Sequence, residues 1–456
     1  MDIIISIRFH YSGRVRQRMT DPSTIVLETH IVVFYILGYM NQTCFRACII
    51  HRILEIAILF QSAFLYKLKN MSRMHMSFIP VVLLYIVGIV CRFLVSKLGN
   101  NYDFESYQIV GDIVSSGGNV YFETTRYNYS PLFSYFLGAF YSLSSVFTNS
   151  VLVFRYLIIA FITVFDIIVS QYIRKNSNVF LSLVYFLNPV SIIITGYHNQ
   201  FDIIAVAFTL LSKESIIEAQ KNKARLSKYD IYAVVFLALS LLFKHLAFLI
   251  PIWILMNVTL PLRRRVFISV LPPTIFIASF IPYLEKGLPG IVRNVFLYRS
   301  FNNMPIICYS FLNADNSSFF RHFSRFLIYL FVFSMIYIGY VIKQRSIDNV
   351  ILIYFISLVC FSSAITNQYL VIPIVSLIVL SKVEKYYYIF FSFVFLLFDK
   401  NGLDLCRFID IGNYTLSTII LFYLDVGYSI LVWILLIFIV HLLSTHNKDE
   451  YDMVSS

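Results

Sequence analysis

Residues 76–130 read MSFIPVVLLYIVGIVCRFLVSKLGNNYDFESYQIVGDIVSSGGNVYFETTRYNYS. The run to residue 97 is apolar and long enough to cross a hydrocarbon core as a helix, which takes about 20 residues. A hydrophilic stretch, 98–131, follows at once. It carries Asp103 and Glu105, separated only by Phe104. The chain is 59% hydrophobic and 13% charged, so an acidic pair beside a membrane span calls for a reason. Charge near a bilayer is costly unless a cavity solvates it or chemistry uses it. The pair therefore predicts a general base, or a cation site, facing a lipid-borne substrate.

Outward from this stretch the pattern repeats. The chain has 456 residues and a mean hydropathy of +0.77. Apolar runs are expected to span at about 76–97, 131–148, 151–173, 179–197, 201–217, 229–246, 247–262, 265–284, 323–343, 348–365, 368–382, 385–399 and 425–444, with 411–424 weaker. The expected fold is an all-α polytopic transmembrane bundle of about 11–13 spans, with residues 98–131 as short helices along one surface. Strands of a membrane barrel would alternate over about ten residues, a pattern absent here. Residues 1–75 read as an extension with uncertain membrane-associated helices, 76–400 as the main module, and 401–456 as further spans with a short tail.

The net charge of +12 reports orientation rather than nucleic-acid binding, because the basic residues crowd into short loops. Lys67, Lys69 and Arg73 precede the first clear span. Lys221, Lys223, Arg225 and Lys228 share one loop, and Arg263, Arg264 and Arg265 another. Lys343 with Arg345, and Lys382 with Lys385, fill two more. These mark a cytoplasmic face and place 98–130, 198–202, 285–322 and 366–368 on the other. Arg174 and Lys175 break the parity if 131–148 crosses completely. They fit if that segment is a half-helix in the interface. The six cysteines, Cys44, Cys48, Cys91, Cys308, Cys360 and Cys406, show neither metal spacing nor a disulfide framework.

Five polar clusters fall on the non-cytoplasmic side. Asp103 and Glu105 form the first. Arg126-Tyr127-Asn128-Tyr129-Ser130-Pro131 forms the second, with Ser130 and Pro131 suited to a helix start. The third follows Asn188-Pro189, a helix break inside a span, and holds His198, Gln200 and Asp202. Such breaks are tolerated where backbone lines protein or a wet cavity. Lys244-His245 is the fourth, a basic pair in an apolar run that calls for an anionic partner such as a phosphate. The fifth comprises Arg293, Asn294, Tyr298, Arg299, Asn302 and Asn303, together with Asn367-Gln368-Tyr369. Carboxylates plus cations and amides suit transfer of a sugar from a lipid phosphate. The carboxylate activates an acceptor hydroxyl, and the cations stabilise charge on the departing phosphate. No cofactor is expected. An Asp-x-Glu pair can hold a divalent metal, although an already anionic leaving group makes one unnecessary.

These residues resemble a family. Asp103-Phe104-Glu105 in the first external loop, then Arg126-Tyr127-Asn128-Tyr129-Ser130-Pro131-Leu132, is similar to segments of GPI mannosyltransferases within the GT-C class of integral-membrane glycosyltransferases. Asn188-Pro189, Gln200-Phe201-Asp202 and Phe243-Lys244 resemble bacterial mannosyltransferase-like proteins and dolichyl-phosphate-glucose-dependent glucosyltransferases. Short motifs in order over about 76–400 carry the similarity. Asp-x-Glu stands where many members have Asp-x-Asp, and Ser130 where GPI enzymes often carry Thr. The resemblance implies a GT-C-like fold and an inverting transfer of a hexose, mannose before glucose, from a dolichyl- or polyprenyl-phosphate donor to a glycan or glycolipid acceptor. It implies Asp103 as base and a location in the endoplasmic reticulum membrane of a eukaryote or the plasma membrane of a bacterium. Membrane lipids are the expected surroundings, and no nucleic acid is expected as a partner. A transporter or flippase for a lipid-linked or anionic solute is the competing expectation, since broken helices and buried cations suit it too. A non-catalytic scaffold is the third.

Overall fold

The computed structural model describes residues 78–221, 226–298, 317–362, 367–398, Leu403 and 434–442. All lie in the unit Met76–Ser456. The extension at 1–75 and the expected span at 411–424 lie outside the described residues. Every regular element described is helical, and no strand occurs among them.

The chain runs α1 (Phe78–Val95), a 3-10 turn Ser96–Leu98, α2 (Tyr102–Ser115), α3 (Val120–Glu123), α4 (Pro131–Ser144), α5 (Ser150–Asn176), α6 (Val179–Phe186), α7 (Pro189–Gly196), α8 (Asp202–Gln220) and α9 (Lys228–Phe243). A 3-10 turn, His245–Ala247, leads to α10 (Ile250–Met256). Then come α11 (Leu262–Ala278), α12 (Leu284–Ile291) continued by a π-helical turn Val292–Phe296, α13 (Ser317–Val341), α14 (Ile347–Phe361), a 3-10 turn Asn367–Val371, α15 (Ile374–Leu380) and α16 (Glu384–Phe398).

Among the described residues, three helical stretches are long and apolar enough to cross a membrane: Ile79–Leu98, Ser150–Asn176 and Leu262–Phe296. Two bent pairs raise the number to five if each counts as one span, α6 with α7 at 44° and α9 with 245–256 at 115°. Each break has a local cause. Asn188 caps α7, its side chain accepting from Val190 N at 2.9 Å, and Pro189 sits at the first helical position. Lys244 is extended (φ −153°, ψ 124°) and ends α9. The runs 229–246 and 247–262, expected as separate spans, thus share one element that folds back on itself.

The parity conflict resolves at α4. It has 14 residues, about 21 Å of helix, against a hydrocarbon core of about 30 Å. It packs on α2, where Gly138 meets Val114 and Gly111 meets Tyr141. Tyr141 also stacks edge-on against Phe154, near the start of α5, at 5.7 Å. The chain therefore enters α5 at the end where α2 lies, and Arg174 and Lys175 emerge at the opposite end. There Lys175 pairs with Glu214, and Lys213 with Asp348. Arg264 meets Asp230 at 2.5 Å, and Asn257 bonds the Arg345 carbonyl at 2.9 Å. Lys175, Lys213, Arg264 and Arg345 gather at this end; residues 99–130, 197–202 and 244 gather at the other.

One intramembrane ion pair pins the broken span. Arg92 of α1 binds Asp166 of α5 at 3.1 Å, both buried. Asp166 also accepts from Tyr185 (2.9 Å), Ser191 (3.1 Å) and Thr195 (2.8 Å). Arg92 in turn donates to the carbonyls of Gly88 and Phe186 and to Ser191. Two buried charges persist because Asp166 accepts four hydrogen bonds and Arg92 donates four beside their mutual attraction. Gly196 lets α7 approach α1: a Cβ there would sit 2.4 Å from the Arg92 carbonyl oxygen.

Candidate functional site

Asn101 starts α2. Its side-chain oxygen accepts from Asp103 N at 3.2 Å, which places Asp103 in the first turn, where the helix dipole favours an acid. Asp103 is half-buried. Its Oδ2 accepts from Asn101 Nδ2 at 3.3 Å and from Gln200 Nε2. Gln200 is held from behind by the Tyr107 hydroxyl, 3.4 Å from its Oε1. Two amides thus hold one carboxylate oxygen, while Oδ1 receives no hydrogen bond among the described residues. Desolvation raises the Asp103 pKa above the usual carboxylate value, opposed by the positive charge of Lys244 and the Gln200 bond. A carboxylate with a raised pKa and one open oxygen is a better proton acceptor than an exposed one.

The second wall is the turn after α7. Asn199 is the described non-glycine residue with positive φ, at 57°. That turn directs His198 to one side and Gln200 to the other. His198 is buried, and its Nδ1 lies 3.2 Å from Asn101 Nδ2. Since the Asn101 oxygen already accepts from the backbone, its amide nitrogen donates to Nδ1, and the neutral ring carries its proton on Nε2. That Nε2 is buried without a hydrogen-bond partner among the described residues. Burial alone lowers the His198 pKa to about 4, so the ring is neutral at pH 7.

Asp202 opens α8 and meets Lys244 at 2.7 Å, both nearly inaccessible. Asp202 Oδ1 has no hydrogen-bond partner among the described residues. Aromatic rings pack around the pair. Phe201 stacks on Phe133 at 3.6 Å and meets Tyr129 edge-on at 4.8 Å, and the Lys244 ammonium lies 5.0 Å from the Phe201 ring. Asp103, Gln200, Asp202 and Lys244, read from three separate sequence clusters, therefore share one neighbourhood.

Other expected residues are placed elsewhere. Glu105 is exposed and reaches Arg126 at 3.5 Å. Residues two apart on a helix do not share a face, so Asp-x-Glu does not form a two-carboxylate site. Arg126 lies over the Tyr102 ring at 3.8 Å and bonds Ser106 at 3.0 Å, so it fastens the 124–126 segment to α2. Tyr127 is core: its hydroxyl donates to the Ser130 carbonyl at 2.5 Å. The His245 ring lies 6.4 Å from Tyr129 and 6.5 Å from Phe276, with Nδ1 unpartnered among the described residues. Lys244 is matched by Asp202 and is therefore not a free cation beside His245. Arg293 is exposed and bonds Asn294 at 3.2 Å, and no carboxylate pairs with it among the described residues. Tyr298 is exposed but close enough to Asp103 for that charge to reach its hydroxyl. Arg299, Asn302 and Asn303 lie outside the described residues. Asn367 is buried and Gln368 half-buried in their 3-10 turn; the next residue, Tyr369, feels the charge of Asp202.

Sequence reasoning passed over Asn101 and Tyr107, which orient Asp103 and Gln200. It also passed over Arg92, Asp166 and Arg155. The signal for those three was available, because ionisable residues inside apolar spans are costly and so positioned for a reason. No protein-family model matches the chain, and no curated protein matches it.

Proposed function

We propose that the protein is a membrane hexosyltransferase that uses a polyprenyl-phosphate sugar, with Asp103 as general base. The observation that carries this reading is the half-buried Asp103, oriented through Oδ2 by Asn101 and Gln200 with Oδ1 open. It stands at the end of the bundle opposite the clustered basic loops. The positive-inside rule makes that end the external or lumenal face.

In the proposed reaction Oδ1 removes the proton of an acceptor hydroxyl as that oxygen attacks the anomeric carbon. The bond from that carbon to the phosphate oxygen breaks, and polyprenyl phosphate departs with the electron pair. The sugar is inverted. The Lys244–Asp202 pair contributes a fixed dipole rather than a net charge. Arg293, which has no described carboxylate partner, is the cation available to the phosphate. Its neighbour Asn294 bonds the Thr124 carbonyl at 3.4 Å, which ties the π-helical turn to the α3–α4 connection. The resemblance to GT-C enzymes, with mannose ahead of glucose, supports the same reading. The same reading carries with it a membrane bundle of more spans than the three to five described and a location in the endoplasmic reticulum or bacterial plasma membrane.

The two broken spans favour a second reading, a transporter or flippase for a lipid-linked solute. Purified protein in liposomes separates the two with radiolabelled polyprenyl-phosphate mannose and glucose. The transferase consumes the label into a new glycoside. A flippase moves it across the bilayer intact.

A further inference from the structure

Arg155 of α5 is 7% exposed and has no carboxylate partner among the described residues. Its guanidinium instead gathers oxygen atoms from two loops. It donates to the carbonyls of Ser96 (2.6 Å) and Gly99 on one side. On the other it donates to Gly196 (3.2 Å), Tyr197 (3.1 Å) and the side chain of Asn199 (3.0 Å). Its Cζ lies 5.4 Å from the centre of the Phe104 ring. The Ser96 and Gly99 carbonyls lie where α1 and its 3-10 turn run out, and those of Gly196 and Tyr197 where α7 ends, so the cation faces the negative ends of two helical segments.

The two loops are the two walls of the Asp103 site. One runs through Gly99 to Asn101 and Asp103, and the other through Asn199, whose neighbours are His198 and Gln200. We propose that Arg155 is the positioning residue of this site, joining the two loops so that Asn101 and Gln200 meet Oδ2 of Asp103. The inference rests on the hexosyltransferase reading for its consequence in catalysis, but not for the geometry it asserts. Five donors in one plane are needed to reach acceptors on both sides. A lysine supplies the charge without the fork.

The test has two readouts. In full-length protein with its native cysteines replaced, the Asn101→Cys/His198→Cys pair is bridged with a short bifunctional thiol reagent, with Arg155 intact or changed to Lys. Bridging should fall several-fold in Arg155→Lys. In the otherwise native chain, Arg155→Lys should lower kcat by about 10- to 100-fold with KM little changed, as for a misplaced reacting group. Equal bridging with and without Arg155 overturns the proposal, whatever the activity. Bridging lost in Arg155→Lys while wild-type protein transfers no sugar keeps the positioning role and removes the hexosyltransferase reading. If Arg155→Lys does not accumulate, Asn199→Gly decides. It removes the Arg155 acceptor together with the amide donors to the Thr195 and Gly196 carbonyls, whereas Asn199→Asp loses the same donors and keeps the acceptor; bridging reduced in Asn199→Gly but kept in Asn199→Asp supports the proposal, and equal bridging in the two overturns it.

Discussion

Gln200 donates its side-chain amide to Oδ2 of Asp103, 97 positions earlier in the chain. This contact joins the loop after the first span to the loop after the broken span, and it decides which carboxylate oxygen remains open. It also separates the roles of the two acids in Asp103-Phe104-Glu105, since Glu105 turns outward to Arg126.

Under the proposed mechanism, Asp103 works only when ionised. Its raised pKa places the acid limb of kcat/KM above the ordinary Asp value, with activity lost as pH falls through it. The Gln200 bond favours the ionised form, so Gln200→Ala should move that limb further toward neutral pH. pH–rate profiles of the two proteins test this; an unmoved limb assigns the base elsewhere.

His198 governs acid stability, and its loss runs in the same direction with pH. Its folded pKa of about 4 lies below the usual 6.5. Between these values the unfolded chain takes up a proton that the folded chain refuses, so stability falls as pH drops through that window. His198→Gln should flatten this loss. The check is the unfolding midpoint in detergent at pH 7 and pH 5, for both proteins.

The Arg92–Asp166 pair should show strong coupling. Arg92→Leu leaves a buried carboxylate without its cation and should cost about 3–5 kcal/mol. Asp166→Asn in the same chain should recover part of that, because the amide oxygen can still accept from the hydroxyls of Tyr185 and Ser191 while its NH2 donates to the Thr195 hydroxyl. A double-mutant cycle on thermal unfolding measures the term, and additive losses would contradict the account.

Gly290 sets the fit of α12 on α3. A Cβ at Gly290 would sit 1.7 Å from the Tyr121 carbonyl oxygen, which is backbone and cannot swing away. Gly290→Ala should destabilise by about 1–3 kcal/mol, as overpacking does. Gly287→Ala, whose nearest atoms start at 3.0 Å, should cost less. Comparing their melting temperatures tests the contact.

Much of the site was legible because charges stand out in an apolar chain. Asp103, Gln200, Asp202 and Lys244 were each visible as polar residues at span ends, and the basic loops placed them on one side. Their pairing was not legible. Nothing in the sequence says that Lys244 answers Asp202 rather than a ligand, since that depends on a 115° bend at an extended residue. The short reach of α4 was visible only as a conflict with Arg174 and Lys175. Glu105 misled because adjacency in sequence is not adjacency on a helix. Asn101 and Tyr107 act by orienting others, and such roles leave no compositional mark.

The most direct measurement is turnover of radiolabelled polyprenyl-phosphate hexose by purified protein, wild type beside Asp103→Asn. The account predicts that wild-type protein forms a glycoside. It predicts that Asp103→Asn slows formation by about 10²–10⁴-fold, while membrane insertion and folded yield are unchanged. Near-normal turnover in Asp103→Asn, or intact donor after incubation with wild-type protein, would contradict it.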